Sequence, residues 1–171
     1  MLFRSFPFEN ETFDFVFSEH LIEHLGFQGA KNMLCEAFRI LKPGGVLRIA
    51  TPDIQFLFEL YQHREDPKVK SYLAWSASAF YPDVYDYFKE NISFSSPFII
   101  SYFFRNWGHQ AIFDQETLSY MLRESGFSHV ASCSIGNSSY SELCGLESHG
   151  KSIPAWANEM ETMVLEAYKD K

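Results

Sequence analysis

Two histidines and a glutamate near the start of the sequence have a spacing that could bind a metal ion. In His20-Leu21-Ile22-Glu23-His24 the two histidines are four residues apart. On a helix both rings would lie on one face, where they could hold a zinc ion. The pattern H-x-x-E-H is typical of one class of zinc peptidase. These residues therefore raise a metal hydrolase as a first hypothesis.

The neighbouring residues argue against a metal site. Residues 12–18, TFDFVFS, are β-branched and aromatic, and they predict a strand that ends at Ser18. Ser18 is then expected to cap a short helical turn, which Gly26 ends. A zinc peptidase needs its motif inside a long helix, because both rings must be held rigidly toward one metal. We therefore expect no metal here, and the hydrolase stays a remote alternative.

The composition of the 171 residues narrows the class of protein. The net charge is −8 and no basic run occurs, so neither nucleic acid nor an anionic membrane surface is an expected partner. The most apolar stretch, residues 98–104, is far too short to span a bilayer. Cys35, Cys133 and Cys144 form no pairing motif. We interpret them as reduced thiols with a packing role in a cytoplasmic protein.

The hydrophobic pattern alternates between strands and helices along the chain. Strands are predicted at residues 12–18, 45–53, 128–135 and 160–169, and helices at residues 30–45, 53–66 and 115–127. The first helix is stopped by Pro43-Gly44-Gly45, and the third has Asp114 as its cap and Gly126 as its stop. This order predicts an α/β fold with a mainly parallel sheet, formed by residues 1–171 as a single domain.

A less regular segment interrupts this alternation. Residues 67–113 contain fourteen aromatic side chains, which must either be buried or leave surface for a ligand or a partner. We interpret this segment as an aromatic-rich insert within the domain that could form a lid over a cleft. His109 follows most of these aromatics, and it is a candidate catalytic residue because such loops tend to carry substrate-binding groups.

The stretch FPFENETFDFVFSEHLIEHL, followed by LKPGGVLRIATPD, resembles the second half of a class I S-adenosylmethionine-dependent methyltransferase. In that family a Pro-Phe turn leads into an FD-V strand, a helix ends in LKPGG, and the next strand follows. The later NWGHQAIFD is similar to a segment of small bacterial members. The resemblance runs from about Phe6 to Tyr168. It implies strands four to seven of a Rossmann-like sheet, with the last strand antiparallel and an aromatic-rich helical insert.

The resemblance implies methyl transfer from S-adenosylmethionine to a small-molecule or saccharide-type acceptor. Ligands bind at the carboxyl ends of strands in such sheets, which points to Ser18, Glu19 and His20 as cofactor-binding residues. His20 is also the best candidate for a general base, since histidine suits proton transfer at neutral pH. Glu19 could instead be only a favourable charge at a helix start. Glu147 and His149, in GLESHG, also resemble the family, or form a solvated turn.

The first part of the sequence departs from the family. Near its start it has no counterpart of the Gly-rich cofactor loop or of the acidic residue that holds the ribose. We therefore expect a truncated methyltransferase-like chain, a fragment or a natural remnant, that is inactive alone. The strand at residues 12–18 would then be an open hydrophobic edge, which predicts a homodimer or larger assembly. The alternative is a non-catalytic α/β interaction module.

Overall fold

The computed structural model describes residues 5–170 and contains one four-stranded sheet. The strands are β1 (Phe13–Glu19), β2 (Leu41–Pro52), β3 (His129–Cys133) and β4 (Thr162–Tyr168), in the order β1-β2-β4-β3. β1 pairs parallel with β2, whereas β4 pairs antiparallel with both β2 and β3. Three strands thus run in one direction and the last strand runs against them. The predicted α/β fold, with its antiparallel last strand, is confirmed.

Seven helices connect and flank these strands in the described part of the chain. They are α1 (Phe27–Ile40), α2 (Ile54–Gln62), α3 (Pro67–Phe80), α4 (Pro82–Phe88), α5 (Ser96–Arg105), α6 (Gln115–Glu124) and α7 (Ala155–Glu161). Short 3-10 segments lie at Ile22–His24, Lys89–Ser95, Ser141–Leu143 and His149–Lys151. Asp114 caps α6 through its side chain, which accepts a hydrogen bond from the backbone N–H of Thr117 at 2.6 Å, as its position predicts.

The chain forms two compact units. The first comprises the chain up to Asp53 together with the part from Gln110 onward, and the second is Ile54–His109. The second unit contains α2 to α5, and Tyr72 and Phe103 are buried within it. The ring of Phe56 lies 4.7 Å from that of Tyr72, edge to face, so aromatic packing holds these helices together. The single domain predicted for residues 1–171 and the lid predicted for residues 67–113 both stay predictions.

One face of the sheet packs against α1 and α6 to form the hydrophobic core of the first unit. The apolar stripe predicted on α1 is buried there, because Met33, Leu34 and Ala37 recur at helical spacing. The helix begins at Phe27, three residues before the predicted start, and Gly26 is its N-cap. Each large aliphatic side chain buried here stabilises the fold by about 1.5–3 kcal/mol.

The LKPGG segment forms an irregular start of β2. α1 ends at Ile40 and β2 begins at Leu41, so the strand starts four residues before the predicted Gly45. The pairing with β1 shifts register inside this segment, since Phe13 is opposite Leu41 while Phe15 is opposite Val46. A Cβ on Gly45 would lie 2.9 Å from a carbonyl oxygen. The segment therefore needs glycine where two backbones approach closely.

The other face of the sheet is covered by residues 134–148. Arg48, fully buried on β2, donates hydrogen bonds to Glu147 at 2.5 Å and to Glu166 at 2.7 Å. It also donates to the carbonyl oxygens of Ser134 and Asn137. Because the Glu147 side chain is almost fully buried, the solvated turn considered for it is wrong. The ion pair with Glu147 and the hydrogen bonds to the two carbonyl oxygens instead fasten this segment to the sheet.

The cysteines form no disulfide among the described residues. Cys35 and Cys144 are exposed and Cys133 is partly buried, so the packing role predicted for them is wrong for the first two. Burial, together with the nearby Glu166 carboxylate, raises the pKa of the Cys133 thiol. Within residues 5–170 no helix has both the length and the apolar character that crossing a membrane requires.

Candidate active site at the strand ends

The chain turns sharply where β1 ends. His20, the residue after β1, has a left-handed backbone with φ of +46°. Its N–H still donates to the carbonyl oxygen of Ala50 at 2.9 Å, so the residue is held against β2. A left-handed conformation is uncommon for residues other than glycine, and it is enriched at functional sites. The turn places His20 at the carboxyl end of the sheet, as predicted.

The H-x-x-E-H motif does not lie on a long helix. Only a three-residue 3-10 segment, Ile22–His24, follows His20, and α1 then begins as a separate helix after Gly26. The zinc-peptidase arrangement needs both histidines one turn apart on one helix. The cap predicted for this turn is wrong, because Leu21 occupies the N-cap position and no side chain caps the turn.

The Glu23 carboxylate holds the His20 ring. Nδ1 of His20 lies 3.1 Å from Oε1 of Glu23, whose side chain is fully buried. The other carboxylate oxygen accepts a hydrogen bond from Thr51 Oγ1 at 2.9 Å. Burial raises the pKa of Glu23, but the contacts with His20 and Thr51 outweigh it and the pKa lies below its usual value. A charged carboxylate favours a proton on Nδ1 and leaves Nε2 of His20 as the basic nitrogen.

Three polar atoms near the end of β1 are buried and make no hydrogen bond of good geometry within the described residues. They are Oγ of Ser18, Nε2 of His20 and Oε1 of Glu23, whose 3.1 Å contact with Nδ1 of His20 is an ion-pair contact. Buried polar atoms in proteins nearly always have a partner, and leaving one without a partner costs about 1–3 kcal/mol. Atoms of this kind suit a site that receives a ligand.

Glu19 is bound by a segment far along the chain. Its carboxylate accepts hydrogen bonds from the backbone N–H groups of Ser148 and His149 and from the Ser148 hydroxyl, at distances of 2.8–3.0 Å. Burial raises the pKa of Glu19, but these donors outweigh it and the pKa lies below its usual value. Glu19 is therefore more than a favourable charge at a helix start, because its carboxylate binds Ser148 and His149.

The same segment brings a second histidine to His20. The ring centroids of His20 and His149 lie 3.9 Å apart, with 34° between the ring planes. Nε2 of His149 lies 3.5 Å from Oε1 of Glu161. The roles of Glu161 and of the anchor Ser148 were missed by sequence reasoning, since no local spacing links residues so distant. The contact between His20 and Glu23, in contrast, could have been predicted from their i, i+3 spacing.

His109 belongs to the second compact unit. Its Nδ1 lies 2.7 Å from the carbonyl oxygen of Phe103, and its ring centroid lies 5.7 Å from that of Trp107. Trp107 has a left-handed backbone with φ of +57°. These contacts fix the ring within its own unit, and the catalytic role of His109 stays a prediction.

The residues predicted to bind S-adenosylmethionine fit that cofactor only in part. Ser18 and His20 each present a buried polar atom without a hydrogen-bond partner. Both oxygens of Glu19, in contrast, already accept hydrogen bonds from Ser148, so this carboxylate is occupied within the chain and fits the cofactor poorly.

The strand order and the polar cluster at the strand ends define a class of fold. A sheet in which β1 and β2 are parallel and the last strand lies antiparallel between β2 and β3 is the arrangement expected for class I S-adenosylmethionine-dependent methyltransferases. Residues 1–49 match the family model of a methyltransferase domain. The resemblance of this chain to class I methyltransferases is therefore confirmed. No curated protein sequence matches the chain.

Solved structures resemble this chain at low sequence identity. A candidate methyltransferase from Haloferax volcanii, in complex with the Trm112 methyltransferase activator, is 15% identical with a TM-score of 0.52, over 100% of this chain and 60% of that chain. A candidate exported protein from Bordetella parapertussis is 11% identical with a TM-score of 0.51, over 95% and 41%. An S-adenosylmethionine-dependent methyltransferase from Thermotoga maritima is 20% identical with a TM-score of 0.48, over 97% and 60%. This chain thus spans 60% of the length of the Haloferax and Thermotoga proteins.

Proposed function

We propose that this chain forms the acceptor side of an S-adenosylmethionine-dependent methyltransferase, with His20 as the general base. The single observation that carries the proposal is the pairing of His20 with a buried carboxylate at the carboxyl end of β1. Nδ1 of His20 lies 3.1 Å from Glu23 Oε1, while Nε2 has no partner among the described residues. A histidine oriented in this way by a carboxylate is suited to accept a proton at neutral pH.

The chemistry needs a base only when the acceptor carries a proton that must leave. When bound, S-adenosylmethionine supplies a methyl group on a positively charged sulfur. A hydroxyl or a protonated amine of the acceptor becomes a better nucleophile as His20 Nε2 takes its proton. The negative Glu23 carboxylate then stabilises the imidazolium that forms, and Thr51 holds that carboxylate in place. General base catalysis of this kind contributes about 10²–10⁴-fold to a rate.

Cofactor binding by these 171 residues is proposed to be weak. Of the three residues predicted to bind it, Glu19 is engaged by Ser148 and His149. Within these 171 residues no two glycines have the G-x-G spacing of a Gly-rich cofactor loop. Two or three hydrogen bonds to charged groups, at about 1.5–3 kcal/mol each, are then absent, which lowers affinity by orders of magnitude. The acceptor is proposed to be a small molecule or a saccharide.

Methyl transfer at high cofactor concentration tests the proposed function. The protein is incubated with millimolar S-adenosylmethionine carrying a labelled methyl group and with a panel of phenols, amines and saccharides. We expect slow transfer to at least one acceptor, and a loss of about 10²–10⁴-fold in His20→Gln. The matched control is His63→Gln, an exposed histidine of the second unit. Equal transfer by His20→Gln and wild type would exclude His20 as the base.

A second candidate function, a non-catalytic interaction module, is favoured by one observation. In the described part of the chain β1 pairs only with β2, so its other side is an open edge. The strand carries Phe13, Phe15 and Phe17, with Asp14 as its exposed charge. Open edges of this kind recruit other chains. We propose that a second copy is the partner, in a homodimer or larger assembly. Absence of methyl transfer to every acceptor, together with a stable dimer, would favour this function.

A further inference from the structure

The nitrogen that would act as the base is shielded in this structure. Nε2 of His20 is buried and has no hydrogen-bond partner among residues 5–170. The ring of His149 lies against the His20 ring, with 3.9 Å between the centroids. An acceptor cannot transfer a proton to a nitrogen that it cannot reach. The His149 ring is a close neighbour of this nitrogen, and its position can therefore control access to it.

We propose that His149 is a positioning residue of this site, whose ring covers Nε2 of His20 until an acceptor displaces it. The proposal rests on the proposed function, because it takes His20 as the base. While the cover is in place it keeps water from Nε2, so the nitrogen has no competing hydrogen-bond partner. An acceptor that displaces the ring meets a base already oriented by Glu23.

The backbone and the side chain of His149 are held with different strength. The backbone N–H donates to Glu19 at 2.9 Å, and the adjoining Ser148 donates to the same carboxylate through its N–H and its hydroxyl. Glu147 is fastened to the buried Arg48. These hydrogen bonds to charged groups are strong.

The His149 ring itself has weaker contacts. Its Nε2 lies 3.5 Å from Glu161 Oε1, which is longer than a well-formed hydrogen bond. It also contacts the ring of His20, tilted by 34°, in an interaction of modest strength. The ring can therefore turn away about its own side-chain bonds while the backbone stays anchored. Glu19 is, in this arrangement, the anchor of the cover.

Chemical labelling of the whole chain tests the cover. Diethyl pyrocarbonate acylates accessible, unprotonated imidazole nitrogens, and peptide mass mapping gives a rate for each histidine. The exposed His63 serves as the internal reference. In wild type we expect His20 to react slowly. In His149→Ala and in Glu19→Gln its rate relative to His63 is expected to rise at least about tenfold, since exposure then no longer requires the cover to open.

Two matched variants complete the experiment. His149→Phe keeps a ring that can stack on His20, and it is expected to keep His20 slow. Glu142→Gln removes an exposed carboxylate of the same segment, hydrogen-bonded to Ser141, and is expected to leave the rate unchanged.

A wild-type rate at His20 in His149→Ala would overturn the proposal. If that variant does not fold, judged by circular dichroism, fast labelling in His149→Phe or a wild-type rate in Glu19→Gln would overturn it. Failure of the proposed function gives a different result. Methyl transfer would then persist in His20→Gln while wild-type His20 stays protected from the reagent.

Discussion

Arg48 and Glu166 lie directly opposite each other on the neighbouring strands β2 and β4, and Nη1 of Arg48 donates to the Glu166 carboxylate at 2.7 Å. Both side chains are almost fully buried. Burial raises the pKa of Glu166, but the hydrogen bonds from Ser138, Arg48 and Tyr168 outweigh it, so the pKa lies below its usual value. Burial of Tyr168, together with the negative Glu166 beside it, raises the pKa of Tyr168 to about 12. Arg48 and Glu166 are therefore both charged at neutral pH.

Arg48→Met is expected to destabilise the protein strongly. The substitution leaves the carboxylates of Glu147 and Glu166 buried without a cation, and breaking a buried pair in this way costs about 3–5 kcal/mol. Urea unfolding at pH 7 measures the free energy of unfolding. The control is Lys42→Met, which breaks an exposed pair with Asp14 and is expected to cost about 0–1 kcal/mol. An equal loss of unfolding free energy in both variants would show that the buried ion pairs of Arg48 stabilise the fold no more than the exposed pair does.

Glu23→Gln is expected to lower stability at neutral pH and to have less effect in acid. The folded-state pKa of Glu23 lies below its usual value, so its charged form stabilises the fold above the unfolded pKa of about 4.3. That stabilisation is lost as pH falls through the folded pKa.

The measurement is urea unfolding of wild type and Glu23→Gln at several pH values between 7 and the acid limit of folding. The difference in the free energy of unfolding should be largest near pH 7 and shrink below about pH 4. Thr51→Val removes the hydroxyl that donates to Glu23 and should lower stability by about 1 kcal/mol at pH 7. A difference that grows in acid would contradict a lowered pKa.

Gly45→Ala is expected to destabilise the start of β2. The added Cβ would lie 2.9 Å from the carbonyl oxygen of Lys42 and 3.0 Å from that of Asp14. Both contacts are with backbone, so strand β1 or β2 must shift, at a cost of about 1–3 kcal/mol. Thermal unfolding measures the loss. In Gly150→Ala the nearest atom is a side-chain nitrogen at 3.4 Å, and this control is expected to stay within about 0.5 kcal/mol of wild type.

Local patterns predicted the elements, and the distant contacts could not be predicted from them. The apolar spacing on α1 and the cap of α6 by Asp114 each depend on residues within a few positions of one another, so they can be read from the sequence. The order of the strands came from the family resemblance. By contrast, Arg48 in a hydrophobic strand gives no sign of its partner Glu147, 99 residues away.

In the candidate active site, too, local features could be predicted from the sequence and distant contacts could not. A histidine after a strand pointed to the strand end, where His20 lies. The contact of Glu19 with Ser148, 129 residues apart, depends on how residues 134–148 cover the sheet, and no periodicity in the sequence encodes that. LKPGG was predicted to form the end of a helix, which is wrong, because α1 ends at Ile40, directly before this segment, and β2 begins at Leu41. The glycines of LKPGG allow β2 to begin early, because they fit the close approach to β1.

The open edge of β1 is expected to pair with a second copy of the chain. β1 is an edge strand in the described part of the sheet, and its backbone groups on that side can form a continuous sheet with the same strand of another molecule. The two-fold axis of such a dimer makes the paired strands antiparallel. The edge carries one exposed charge, Asp14, which bonds to Lys42, so repulsion between the two copies is weak.

Light scattering after size-exclusion chromatography measures the mass over a range of concentrations, and hydrogen exchange measures protection of the amides of residues 13–19. We expect a dimer whose β1 amides exchange more slowly as the concentration rises, while those of β3 at the opposite edge do not change. Phe127 in the core provides an amide that should be protected throughout. A monomer at every concentration, or concentration-dependent protection at β3 alone, would show that β1 does not form the interface. Protection confined to Ile54–His109 would instead place the contact on the aromatic helices of the second unit.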